Sequence, residues 1–129
     1  LKTVEDLMLI KNKIPFINEN STMKNALKII SLKKLGTLIV KNSKGHTTGI
    51  ITDGQIRRVS EKNKNLHELK IKNVMTKNPI KVNKEMLAIK ALSIMNENKI
   101  TSLCVGDYRK TKITVGIIHI HNILEAGIG

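Results

Sequence analysis

Gly49-Ile50-Ile51-Thr52-Asp53-Gly54-Gln55-Ile56-Arg57-Arg58 decides how the chain is read, because a weaker copy returns as Gly116-Ile117-Ile118-His119-Ile120-His121-Asn122-Ile123. In each copy a glycine releases a short apolar run of buried-strand character. A polar residue follows where a helix with Ile56 or Ile123 turned inward should begin. A strand feeding a helix N-terminus is a ready anion site, since the first-turn N–H groups and the positive end of the helix dipole converge there.

Working outward, the copies prove to be parts of longer repeats. Upstream of the first, Met23, Ala26, Leu27 and Ile30 fall at helical spacing, with Ser21 or Thr22 as N-cap and Gly36 placed to stop the helix. Thr37-Leu38-Ile39-Val40 and Thr47 to Thr52 read as a hairpin around Gly45, and Asp53 to Glu61 as the closing helix. Ile14-Pro15-Phe16-Ile17 reads as an opening strand, with Pro15 near its start where a missing donor does least harm. Val4 to Met8 is a short amphipathic lead-in, and Ser60 to Asn65 a polar linker. The order then repeats. Ile71 to Met75 echoes the lead-in and Pro79-Ile80-Lys81-Val82 the first strand, while Ala88, Ala91, Leu92 and Met95 repeat the helix stripe. The pattern predicts an α+β fold of two β-α-β-β-α repeats, 1–65 with lead-in and linker and 66–129. Each is too small to hold a core alone, so they should pack about a pseudo-twofold axis with ligand clefts between them.

Composition narrows the function. The formal charge of +13 comes from twenty Lys and only three Arg, alongside thirteen Asn and twenty Ile. The lysines are spread along the chain, and Phe16 and Tyr108 are the only aromatics besides His, which leaves no platform for stacking bases. Solvated surface is the expected role of this charge, with neither nucleic acid nor membrane as partner; a polyanion would bind in a salt-sensitive way. Cys104, in the run Leu103-Cys104-Val105, reads as a small core residue of a cytoplasmic protein. No apolar run approaches the length of a membrane span. The chain opens on Leu1, as expected for a piece of a longer polypeptide.

The tandem β-α-β-β-α unit with its Gly-apolar-apolar-Thr-x-x-polar motif resembles the CBS domain pair, a regulatory module that binds adenosine-type and related nucleotides. Thr52 to Arg58, Met75-Thr76-Lys77-Asn78-Pro79, Lys99-Ile100-Thr101-Ser102-Leu103 and Gly116 to His121 resemble the C-terminal CBS pair of the KpsF/GutQ D-arabinose 5-phosphate isomerases of lipopolysaccharide and capsule precursor synthesis. The resemblance implies a nucleotide or sugar-nucleotide effector, a homodimer, and a sugar-isomerase (SIS) catalytic domain upstream. It implies ligand contacts from Thr52, Asp53, Gln55, Arg57, Pro15, Pro79, His119, His121 and Asn122. Where the CBS pattern places a carboxylate three residues after the Thr/Ser position, this chain has the neutral amides Gln55 and Asn122, which forgo a charge-assisted bond to ribose. His119 replaces the usual Ser or Thr, as it does in the resembling isomerases, and near a phosphate it should bind better when protonated.

Other roles of the same residues follow from geometry. Thr52 serves as helix cap or as ligand contact, and Asp53 is a second candidate cap. In a strand, His119 and His121 would share a face with no third ligand nearby, so neither a metal nor any other cofactor is expected. Arg57 and Arg58 point to different faces. The chain has no nucleophile with a neighbouring base, no paired carboxylates and no Gly-rich phosphate loop, so it is read as non-catalytic. Ile56, Val59, Ile123 and Leu124 supply apolar surface for a dimer. The alternative function is a structural dimerisation module whose clefts have decayed.

Overall fold

The structure is a computed structural model that describes all of residues 1–129. In chain order it contains α1 (Val4–Leu7), β1 (Leu9–Ile10), β2 (Phe16–Asn18), α2 (Met23–Lys33), β3 (Thr37–Lys41), β4 (Thr47–Thr52) and α3 (Asp53–Lys62). There follow β5 (Thr76–Lys77), β6 (Lys81–Asn83), α4 (Ala88–Asn98), β7 (Ser102–Gly106), β8 (Thr114–His119) and α5 (Ile120–Glu125). The chain divides into two compact units, Pro15–Pro79 on one side and Leu1–Ile14 with Ile80–Gly129 on the other.

Each unit is built around one four-stranded sheet. In the Pro15–Pro79 unit the order is β2-β3-β4-β5, with β2 parallel to β3 and the rest antiparallel. In the other it is β6-β7-β8-β1 with the same senses. Even the irregularities repeat, the ladder shifting register at Val40/Lys41 and at Val105/Gly106. The first core joins Ile17, Met23, Ala26, Leu38, Val40, Ile51, Ile56 and Ile71. Their sequence counterparts Val82, Ala88, Ala91, Leu103, Val105, Ile118, Ile123 and Val4 join the second. These eight positions of the apolar repeat thus perform one job twice, and each buried Ile or Leu contributes about 1.5–3 kcal/mol.

The compact units divide the chain differently from the sequence repeats. The lead-ins do not pack with the repeats they open. Residues 66–77 dock on the N-terminus of α2, where the Leu69 carbonyl accepts from Met23 N–H (2.8 Å) and the Ser21 carbonyl from Ile71 N–H (2.9 Å). Residues 1–10 do the same for α4, with the Lys2 carbonyl accepting from Ala88 N–H (2.9 Å) and the Met86 carbonyl from Val4 N–H (2.8 Å). Backbone thus satisfies the first helical donors, and neither Thr22 nor Leu87, at the N-cap positions, uses a side chain as cap.

Three smaller expectations are also revised. α2 ends at Lys34, whose left-handed backbone (φ 60°) makes the stop ahead of Gly36, and Lys99 (φ 54°) ends α4 likewise. The opening strands begin at Phe16 and Lys81. Pro15, which has no N–H to give, stays outside its ladder and offers only its carbonyl, to Ile39 N–H at 2.9 Å. Ile56 and Ile123 are core residues of their own units, so only exposed Leu124 and half-buried Val59 remain of the apolar surface proposed for a dimer.

The motif glycines have a packing reason. A Cβ on Gly49 would stand 2.7 Å from the Thr76 carbonyl and 2.7 Å from Met75 Sδ. On Gly116 it would overlap Met8 Sδ and come within 3.1 Å of the Leu9 carbonyl. Each glycine therefore lets the docked lead-in, with its methionine, cross β4 or β8 closely.

Candidate ligand site

The two strand-to-helix junctions are the places the sequence singles out, and their backbones match. Asp53 N–H donates to the Gly36 carbonyl (3.0 Å), and its counterpart Ile120 N–H to the Thr101 carbonyl (2.8 Å). Helix donors expected to face a ligand are therefore partly satisfied inside each unit. The side chains then diverge.

At the first junction Thr52 is the N-cap, its Oγ1 accepting from Gln55 N–H at 3.3 Å. This settles the cap in favour of Thr52 over Asp53. The exposed Asp53 carboxylate lies beside Gly36, where a Cβ would sit 3.0 Å from Oδ2 and where φ is +71°. Both facts reserve position 36 for glycine. The Gln55 side-chain amide donates to the Val74 carbonyl, so the residue standing where the family pattern has a ribose-binding carboxylate is tied to its own unit. Arg58, one turn on, folds back until its Nη1 lies 3.3 Å from where a Cβ on Gly54 would be. Arg57 is exposed on the neighbouring face. Arg58 is exposed as well. Pro15 and Pro79 are both buried at the two ends of this unit's chain segment.

At the second junction His119 ends β8 and His121 lies inside α5, so the two rings do not share a strand face. His119 Nδ1 accepts from His121 N–H (3.1 Å), and Asn122 Oδ1 accepts from His119 N–H (2.9 Å), a reciprocal cap. The ring centroids stand 4.8 Å apart. Burial, and then the charge of His121, hold His119 below the usual histidine range. Nδ1 can accept in this way only while the ring is neutral with its proton on Nε2. Ser102, opposite His119 in the ladder, has a buried hydroxyl without a partner, whereas its counterpart Thr37 donates to the Ile51 carbonyl (3.3 Å). The exposed Glu125 closes the short helix α5. No three His, Cys, Asp or Glu side chains gather closely enough to hold a metal ion, and no helix is long and apolar enough to cross a membrane.

The CBS domain profile matches residues 4–62 and 71–129. The chain belongs to the CBS domain family. Among relatives of this CBS pair, arabinose 5-phosphate isomerase KdsD of Salmonella typhimurium is 35% identical over 128 residues, which are 99% of this chain and 38% of that protein. KdsD of Escherichia coli K12 is 33% identical over the same shares, and the uncharacterized protein RP505 of Rickettsia prowazekii 32% over 99% and 39%. The chain thus spans well under half the length of these relatives. Among solved structures, CBSX2 in complex with AMP superposes with a TM-score of 0.82 at 22% identity, covering 97% of this chain and 95% of that one. The CBS domain pair of MJ0100, in complex with 5'-methylthioadenosine and S-adenosyl-L-methionine, gives 0.83 at 22% over 98% and 95%. At these identities the likeness establishes the tandem CBS fold.

Proposed function

We propose that this CBS pair is a non-catalytic regulatory module that binds a nucleotide or sugar nucleotide and adjusts an attached sugar-phosphate isomerase of the D-arabinose 5-phosphate type. In this reading an SIS domain carries the chemistry, the protein acts in the cytoplasm as a homodimer in lipopolysaccharide or capsule precursor synthesis, and residues 1–65 and 66–129 are its two repeats. The observation that carries the proposal is the first junction. A hydroxyl at Thr52, the N-terminal turn of a ten-residue helix and the Arg58 guanidinium folded over that turn all favour an anionic group. The charge distribution supports it: 13 of the 23 basic residues but only 4 of the 10 acidic ones fall in Pro15–Pro79. The likeness to KdsD along 99% of the chain supports the isomerase partner, and similarly folded CBS pairs in complex with AMP or with adenosine derivatives support the ligand class.

Thr52 and Arg58 are the proposed anion contacts, with Asp53, Pro15, Pro79, Gln55, Arg57, His119, His121 and Asn122 as further candidates. Thermal unfolding with a panel of adenosine, cytidine and sugar nucleotides tests the reading. A ligand at 100 times its Kd adds about 2.7 kcal/mol to stability, so one member at least should raise Tm clearly. A specific observation favours a second reading. Gln55, His119 and Asn122 spend their polar atoms on internal bonds, as a structural dimerisation module with decayed clefts would allow. A panel without any shift favours that module.

A further inference from the structure

Helix α5 is held at its start by a titratable group, and α3 is not. The only side chain accepting from an α5 backbone N–H at this cap is His119, through Nδ1, and that nitrogen accepts only while the ring is neutral with its proton on Nε2. Protonation converts the acceptor into a donor facing the His121 N–H. It also places a positive charge 4.8 Å, centroid to centroid, from the second imidazole. α5 has six residues, one reciprocal cap and one fully buried core residue, Ile123, with Ile120 packed at the edge of the same core, so the cap matters to a helix this short.

We infer that the His119–His121 pair is a pH-sensitive latch, in which protonation of His119 uncaps α5 and loosens the helix from its sheet while the Thr52-capped α3 stays in place.

Against β8, strand β1 brings Leu9 and Ile10, and β7 brings Ser102 opposite His119 and the buried thiol of Cys104 opposite Ile117. α1 carries Glu5 and Asp6, α4 carries Lys90 and Glu97, and α5 carries His121 and Glu125. Of these, only His121 acts electrostatically on the His119 ring, and burial adds to it in the same direction. The sign follows from linkage. A histidine held below its ordinary range binds fewer protons folded than unfolded, so its contribution is complete above that range and is lost as pH falls through the lowered value. This latch is independent of the ligand reading, since it needs no bound molecule.

The experiment is amide hydrogen exchange by NMR on the 129-residue chain between pH 7.5 and 5, corrected for the intrinsic pH dependence of exchange. Protection over residues 121–126 should fall at least about threefold relative to α3 as His119 titrates. His119→Ser, which keeps a capping hydroxyl and removes the titration, should flatten that dependence. A ring titration on the unaltered chain gives the second readout, with His119 titrating below about 6.5 from a neutral form protonated on Nε2. The same pH dependence in His119→Ser, a parallel loss in α3, or a His119 that titrates at or above the ordinary value would each overturn the latch.

Discussion

At Thr52 and at His119 the chain passes from strand to helix with the same backbone bonds, to the Gly36 and the Thr101 carbonyl, yet the two junctions differ in what their side chains have left to give. Thr52 spends one acceptor on its cap and stands on a helix of ten residues, with Arg58 folded over the first turn. His119 and Asn122 cap each other at the start of a helix of six residues, with the His121 ring beside them. Duplication conserves what the backbone and core require. Side chains at the solvent edge of that frame are free to diverge, and there the two units acquire different chemistry.

Core truncation sharpens the comparison most. Ile51 and Ile118 are matched positions, both fully buried, so Ile51→Ala and Ile118→Ala should each cost about 2–5 kcal/mol and differ little. Chemical denaturation reads both. A large inequality would break the equivalence of the two cores. The motif glycines come next and should not be equal. Gly49→Ala drives a methyl against the rigid Thr76 carbonyl and should cost about 2–3 kcal/mol, whereas Gly116→Ala meets chiefly the flexible Met8 side chain and should cost about 1 kcal/mol. The reverse order would mean that the lead-ins dock differently from the account given.

Alkali should separate the units by a smaller amount. Burial pushes the Cys104 thiol up to about 12, against partial relief from Lys81 and a hydrogen bond with Thr114. Burial raises Tyr108 as well. An acid whose folded pKa lies above its unfolded value stabilises fully below the unfolded value and loses that contribution as pH rises toward the folded one. Stability should therefore decline from about pH 9 upward, by about 1 kcal/mol at pH 10 from the thiol alone. The Pro15–Pro79 segment contains neither Cys nor Tyr. Cys104→Val should remove the thiol's share of the slope in denaturation curves taken at pH 8 and pH 10, and an unchanged slope would refute its burial as the cause.

Much of the fold was legible because apolar spacing is what the core demands. The stripes at Met23, Ala26 and at Ala88, Ala91, and the paired runs at Leu38–Val40 and Leu103–Val105, all fall where the sequence places them. The exchange of lead-ins was not legible, since Val4 and Ile71 are apolar in either arrangement and only long-range backbone bonds reveal which helix each one docks on. At the junctions the sequence placed the two strand-to-helix turns but not the partners of their side chains. Gln55, Asn122 and His119 have polar atoms that serve a ligand or the chain equally well by composition, and the internal bonds that engage them span up to 19 residues, from Gln55 to Val74. Arg57 and Arg58 are adjacent in sequence and indistinguishable by type, so only the fold shows which one returns over Gly54.

The central claim is that the Thr52 junction supplies the ligand contact that dominates affinity, ahead of the His119 junction. Calorimetric titration with the nucleotide that most raises Tm, on the unaltered chain, Thr52→Val, Arg58→Ala and His119→Ser, measures it directly. Thr52→Val removes one hydrogen bond to a charged group and keeps the shape of the residue, so affinity should fall by about 1.5–3 kcal/mol, or roughly ten- to a hundredfold. Arg58→Ala should weaken binding as well, and His119→Ser should leave it within about twofold. Unchanged affinity in Thr52→Val together with a large loss in His119→Ser would contradict the account and move the ligand to the second repeat.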